Sequence, residues 1–202
     1  MGRTGGSAED GDGSRRCALR GTSTPALDRR TSGYDVVGGT APDVEVWAPP
    51  AGWRAYERTV RLGSGTDLWD AASAAVLSWG VKTRSGFDVD PPLPEGRSAR
   101  RGERSWLVAR VGPFRVREPV EVVATVATGR RAALAYGTLT GHPVSGEEAF
   151  IVHRDDDGVV RLTLRSLTHA GRGRWRPLFP LILVAQRVYR RRYLRALRRD
   201  GA

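Results

Sequence analysis

The spacing of apolar positions divides the chain into segments of different character. The first thirty residues, MGRTGGSAEDGDGSRRCALRGTSTPALDRR, show no apolar period. Ordering them would cost about 1–2 kcal/mol of backbone entropy per residue with almost nothing buried in return. Residues 1–32 therefore read as a disordered leader, and 33–199 as one domain. From Tyr34 to Pro50 aromatic residues alternate with Pro and Gly without a sustained period, which predicts an irregular stretch draped on the core. Trp53 to Gly63 is rich in aromatic and β-branched residues and closes on a Gly63-Ser64-Gly65 turn, as a strand does. A helix is predicted next, capped by Thr66, with Leu68, Ala72, Ala75, Val76 and Trp79 on one face before Gly80 ends it. Residues 82–103, with Pro91, Pro92 and Pro94, read as a long connection holding at most a short helix or strand.

From Arg104 to Thr168 the period is two. Strands are predicted over 104–111, 115–128, 131–140, 147–154 and 159–168, divided by Gly112-Pro113, Gly129, the GHPVSG loop and Asp157-Gly158. Such short connections favour antiparallel neighbours. In the last strand Val160, Leu162 and Leu164 share one face, and Arg161, Thr163 and Arg165 the other, so one face of the sheet is expected to be covered and the other wet. A helix starting near Leu178 or Leu181 and ending at Arg199 places Ile182, Ala185, Tyr189, Tyr193, Ala196 and Leu197 within about a third of its circumference. The order specifies an α+β domain in which a curved antiparallel sheet wraps a long amphipathic C-terminal helix. It is similar to the helix-grip fold of the Bet v 1-like superfamily, which implies an apolar cavity between sheet and helix. A split-barrel or cystatin-like arrangement fits the same order.

Charge changes this picture in one respect. The 202-residue chain carries a net charge of +11, but residues 165–202 hold eleven arginines against the single acid Asp200, and the rest is close to neutral. The excess is local, which argues against a globally basic, nucleic-acid-coating domain. No apolar run approaches the roughly 20 residues of a membrane span, and no signal-peptide pattern opens the chain, so a cytoplasmic location is expected. Cys17, the lone cysteine, excludes an intramolecular disulfide. Lys82 is the lone lysine, a scarcity that reads as codon bias.

The most distinctive run is AYGTLTGHPVSGEEAF, Ala135 to Phe150. With RLGSGTDLWDAASAAVLSW, VKTRSGFDV and the tail QRVYRRRYLRAL, it resembles uncharacterised protein family 0548, over roughly residues 34–198. Val144 departs from the acidic residue expected there, which weakens any scheme with a third loop carboxylate. The resemblance implies the helix-grip fold and brings no activity.

Within this run His142, Glu147 and Glu148 lie close together, with Thr138 and Ser145 nearby. If Phe150 and Val152 face the core, Glu148 does too, and its carboxyl needs a partner such as His142, Arg110 or a backbone N–H. One reading makes His142 and Glu148 an acid/base or ligand-anchoring pair; the other makes the whole block a loop-stabilising network. Neither a metal site nor a cofactor motif is expected: His153 and His169 lack ligand spacing, there is no G-x-S-x-G, and Gly63-x-Gly65 is too short to be a phosphate loop. Of the six tryptophans most read as core; Trp79 and Trp106, with Tyr136, are the ones placed to line a cavity, with core packing as the more common alternative role.

Three functions follow as expectations. The first is a binding protein for a small, largely apolar ligand, touched by Trp79, Trp106, Tyr136, Thr138, His142, Glu147 and Glu148. The second is an enzyme using His142 and Glu148 in proton transfer. The third is a polyanion-binding adaptor contacting nucleic acid or anionic membrane through Arg172, Arg174, Arg187, Arg191 and Arg195; the commoner reading of such arginines is a solvated helix face.

Overall fold

A computed structural model describes residues 1–2, 26–111, 114–171 and 173–198. Most of the predicted leader, and Arg172 of the basic loop, lie outside these residues. The elements run β1 (Arg54–Ser64), α1 (Thr66–Leu77), α2 (Gly80–Thr83), β2 (Phe87–Asp90), β3 (Arg104–Val111), β4 (Phe114–Ala127), β5 (Arg131–Thr138), β6 (Val144–Arg154), β7 (Val159–Ala170) and α3 (Phe179–Tyr193). The strands form one antiparallel sheet in the order β1-β7-β6-β5-β4-β3-β2. Only β1 departs from a simple meander, pairing with β7 at the far edge. Register shifts at Arg61/Gly63 and Val122/Ala124 add local twist, which helps the sheet curve around its contents.

The concave side holds the main core. Leu68, Trp69, Ala72, Ala75 and Val76 of α1 meet Leu134, Phe150, Val152, Leu162 and Leu164 of the sheet, and Tyr193, Leu194 and Leu197 close it from the C-terminal end. The predicted face of α1 is thus the buried one. Its cap differs: Gly65 occupies the N-cap with φ 102°, and no side chain caps the helix. The expected connection over 82–103 contains β2 and the end of α2, which starts at Gly80, where α1 was expected to stop.

The expectation of a wet outer face is corrected. Thr163 and Arg165 are buried, because the irregular segment 33–47 lies over them as a strap. Arg165, 2% exposed, donates to the carbonyls of Thr40, Ala41, Val44 and Glu45 and pairs with Glu57. Beneath the strap the sheet carries a second buried cluster of small residues, Ala133, Ala135 and Ala149 with Val123 and Ile151. Gly137 marks the closest approach: a Cβ there would lie 2.0 Å from the Tyr34 hydroxyl oxygen.

Candidate functional site

A cavity of about 360 Å³ lies between the concave face and α3. Apolar residues from both sides contribute to its wall, among them Phe87, Ala109, Val116, Leu178, Leu181 and Ile182. Leu181 is 68% exposed, so the space opens outward beside the first half of α3. Tyr193 lies at the other end of the helix, roughly 18 Å farther along at 1.5 Å per residue. There the wall becomes ionisable.

Lys82 is the centre of that polar end. Trp79 takes a left-handed conformation, φ 64°, which turns the chain after α1 and starts α2 so that Lys82 enters the core. At 3% exposed, its Nζ lies 3.0 Å from Glu148 Oε2 and donates to the Tyr193 hydroxyl at 2.7 Å. The rings of Phe87, Tyr193 and Tyr136 stand 4.3, 4.5 and 4.9 Å from it, and their negative faces favour an ammonium. Glu148 accepts a second hydrogen bond, from the Tyr136 hydroxyl. Burial, and then the charge of Glu148, push both phenols well above the ordinary tyrosine value, so both remain neutral donors. Tyr193 already accepts from Lys82, and among the described residues no acceptor is found for its own proton.

A second carboxylate, Glu118 of β4, faces His142 Nε2 at 3.6 Å. The imidazole orientation is set locally: the Val144 N–H donates to Nδ1 at 3.0 Å. Burial pushes the Glu118 carboxyl up, but contact with His142 and the charge of Lys82 outweigh it and hold it below the ordinary value of 4.5. A carboxyl whose folded value is depressed contributes stability above the unfolded value, and that contribution disappears as pH falls through the folded one. The advantage of wild type over Glu118→Gln in urea denaturation is therefore expected to shrink on acidification below about 4.5. An advantage unchanged down to pH 3 would contradict it.

The anticipated residues separate into two groups. Tyr136, Thr138, His142 and Glu148 all contribute to the cavity wall. Thr138 also accepts from the Gly146 N–H, fixing the entry to β6. Gly146 has φ 148°, and a Cβ there would sit 1.9 Å from the Leu167 carbonyl oxygen, so this motif glycine is a packing requirement. Glu147 borders the cavity, but its carboxylate points to the other face and accepts from Tyr34, Gly38 and Thr40. Trp79 is buried against Tyr136, 5.3 Å between ring centres, and supports that ring without reaching the cavity. Trp106 is held instead between the guanidinium groups of Arg30 and Arg117, away from the wall.

The partners suggested for Glu148 are also replaced. Arg110 pairs with Asp88 at an exposed position, and His142 is engaged with Glu118 and Val144. Lys82, Glu118 and Tyr193 are the site residues that sequence reasoning missed. The available signals were the singularity of Lys82 and the place of Tyr193 on the apolar face of the C-terminal helix. Among the described residues no cluster of metal-binding side chains occurs. Arg187, Arg191 and Arg195 are exposed along α3 and the turn after it, whereas Arg174 sits in the preceding 3-10 turn, its side chain outside the described residues.

Residues 34–196 match a domain of unknown function, DUF1990. A UPF0548 protein of Deinococcus radiodurans is 31% identical over 173 residues, covering 79% of this chain and 80% of that protein. A hypothetical protein of Helicobacter pylori, solved at 1.88 Å, has a similar fold: TM-score 0.51, 12% identity, 76% of this chain and 95% of that one. Ara h 8.0201 aligns more distantly, with a TM-score of 0.43 at 12% identity over 72% of this chain and 99% of its own. No helix of the described residues is long and apolar enough to cross a membrane. With the family model spanning most of the chain and the sequence relative spanning nearly as much, this chain belongs to the UPF0548 family and carries its DUF1990 domain.

Proposed function

We propose that this protein binds a small, largely apolar molecule between the sheet and α3, and holds it by a neutral oxygen at the polar end. The supporting observation is the cavity itself, of about 360 Å³, with an apolar wall leading to a cluster of ionisable groups. That volume suits a small organic ligand.

Hydrogen-bond accounting narrows the polar group. Tyr193 has a proton to give, and the Lys82 ammonium has three donors, of which Glu148 and Tyr193 take two. Both point to an acceptor on the ligand. An anionic acceptor would meet Glu148 and Glu118 close by, so a carbonyl or hydroxyl oxygen fits better than a carboxylate.

Native mass spectrometry of protein purified from its own host is the test. We expect a retained small molecule in wild type, and a loss of at least about tenfold in occupancy for Ile182→Trp, which fills the cavity from a half-exposed position of α3. A protein that emerges empty, and binds no member of a panel of apolar alcohols and ketones, would sink the reading.

A further inference from the structure

We propose that the outer surface of α3 docks on an anionic phospholipid bilayer, inserting Leu181, Val184 and Val188 while Arg58, Arg191, Arg195 and Arg198 hold lipid phosphates. Two independent features carry this inference. The first is an unpartnered apolar stripe. Leu181, Val184 and Val188 are 68%, 56% and 48% exposed; Val184 and Val188 lie off the cavity wall, and Leu181 borders it. Their spacing of three and four places them along one face, and the same spacing continues through Arg191 and Arg195. The outward surface is therefore apolar in its first half and cationic in its second.

The second feature is a concavity of about 370 Å³ at that cationic end, lined by Arg58, Val60, Arg191, Leu194, Arg195 and Arg198. It contains no acidic residue, and among the described residues none of its four arginines has an ion-pair partner. The negative end of α3 helps to tolerate such charge. It gives no reason for Arg58, which comes from β1, to converge on the same place.

Charge and apolarity together select the partner. Nucleic acid supplies phosphates but offers nothing to the three aliphatic side chains. A second copy docked through the same helix brings no acidic side chain to the four arginines, since residues 165–199 contain none. An anionic bilayer matches both halves, because phosphates lie beside the acyl region that accepts the aliphatic groups. The docking stands on the helix surface alone. One consequence rests on the ligand reading: Leu178 and Leu181 belong to the cavity wall, so a docked α3 brings the opening to the lipid, and an apolar ligand enters from there.

Co-flotation of the full chain with vesicles tests the docking. The probes are vesicles of phosphatidylcholine alone and of equimolar phosphatidylcholine and phosphatidylglycerol. Each arginine near an anionic surface contributes about fivefold to partitioning, so we expect at least about a tenfold preference for the anionic vesicles, weakened by salt. Val184→Asp/Val188→Asp and Arg191→Glu/Arg195→Glu should each reduce it at least about tenfold, with unchanged circular dichroism. Val184 and Val188 do not line the cavity, so the first variant should keep its retained ligand, whereas Ile182→Trp should still float. Equal binding to neutral vesicles, or anionic binding untouched by Val184→Asp/Val188→Asp, overturns the docking. So does a concentration-dependent dimer abolished by that same variant, or tighter binding to a single-stranded oligonucleotide than to anionic vesicles.

Discussion

Replacing Lys82 by methionine is expected to destabilise the protein by about 3–5 kcal/mol, more than removal of any exposed charge. The substitution nearly conserves side-chain volume, so the cost does not come from a cavity. It comes from Glu148, whose largely buried carboxylate loses the ammonium 3.0 Å away and keeps the Tyr136 hydroxyl as its donor. Tyr193 at the same time loses the donor that fixes its hydroxyl. The companion variant Lys82→Met/Glu148→Gln removes the stranded charge and keeps a partner for Tyr136. It should recover more than half of the loss. Urea denaturation of the three proteins decides the matter. A double variant no more stable than Lys82→Met would mean that the pair acts through shape, not charge.

Glu147→Ala is expected to release the strap over residues 33–47 and to cost about 3 kcal/mol. The carboxylate accepts from the Tyr34 hydroxyl, from the N–H groups of Gly38 and Thr40, and from the Thr40 hydroxyl. Losing one acceptor would strand several buried donors at about 1–3 kcal/mol each, so the strap lifts instead and lets water satisfy them. The free energy of docking the strap therefore sets the ceiling of the effect. Hydrogen exchange should show lost protection confined to the strap and the strand face beneath it. Arg165→Met releases the same segment from the carbonyl side. Because both variants act through one segment, their combined cost should fall well short of the sum of the two. Full additivity, or protection lost throughout the sheet, would argue that the strap is integral to the core.

The comparison of Glu148 with Lys82 explains what could be anticipated from the chain. Glu148 shares strand parity with Phe150 and Val152, so its placement on the cavity side follows from a period of two. Lys82 lies in a four-residue helix that no period announces, and its partner is 66 positions away in sequence. The family of this chain was legible from the GTL-x-GHP-x-SGEE-x-F run, while the role of that run was legible only in part. Its two adjacent glutamates serve opposite faces of the sheet, one the cavity and the other the strap. Arg165 was assigned to solvent because an arginine in alternation with leucines ordinarily faces water. Its burial depends on four backbone carbonyls that converge only when the irregular segment crosses the sheet.

By itself the sequence determined the order of β1, α1, β3 to β7 and α3, the antiparallel meander, the buried face of α1 and the concentration of positive charge near the C-terminus. These depend on periodicity, turn residues and composition, which act over a few residues. Only the tertiary structure decided that Lys82 sits against Glu148, that His142 faces Glu118, that Trp106 lies away from the cavity and that the outer face is covered. It also decided that half of α3 presents aliphatic side chains to the outside. Each of these requires groups distant along the chain to meet at distances of a few ångströms. That meeting is fixed by strand register, by the addition of β1 beside β7 and by the curvature of the sheet, to which local sequence preferences are blind.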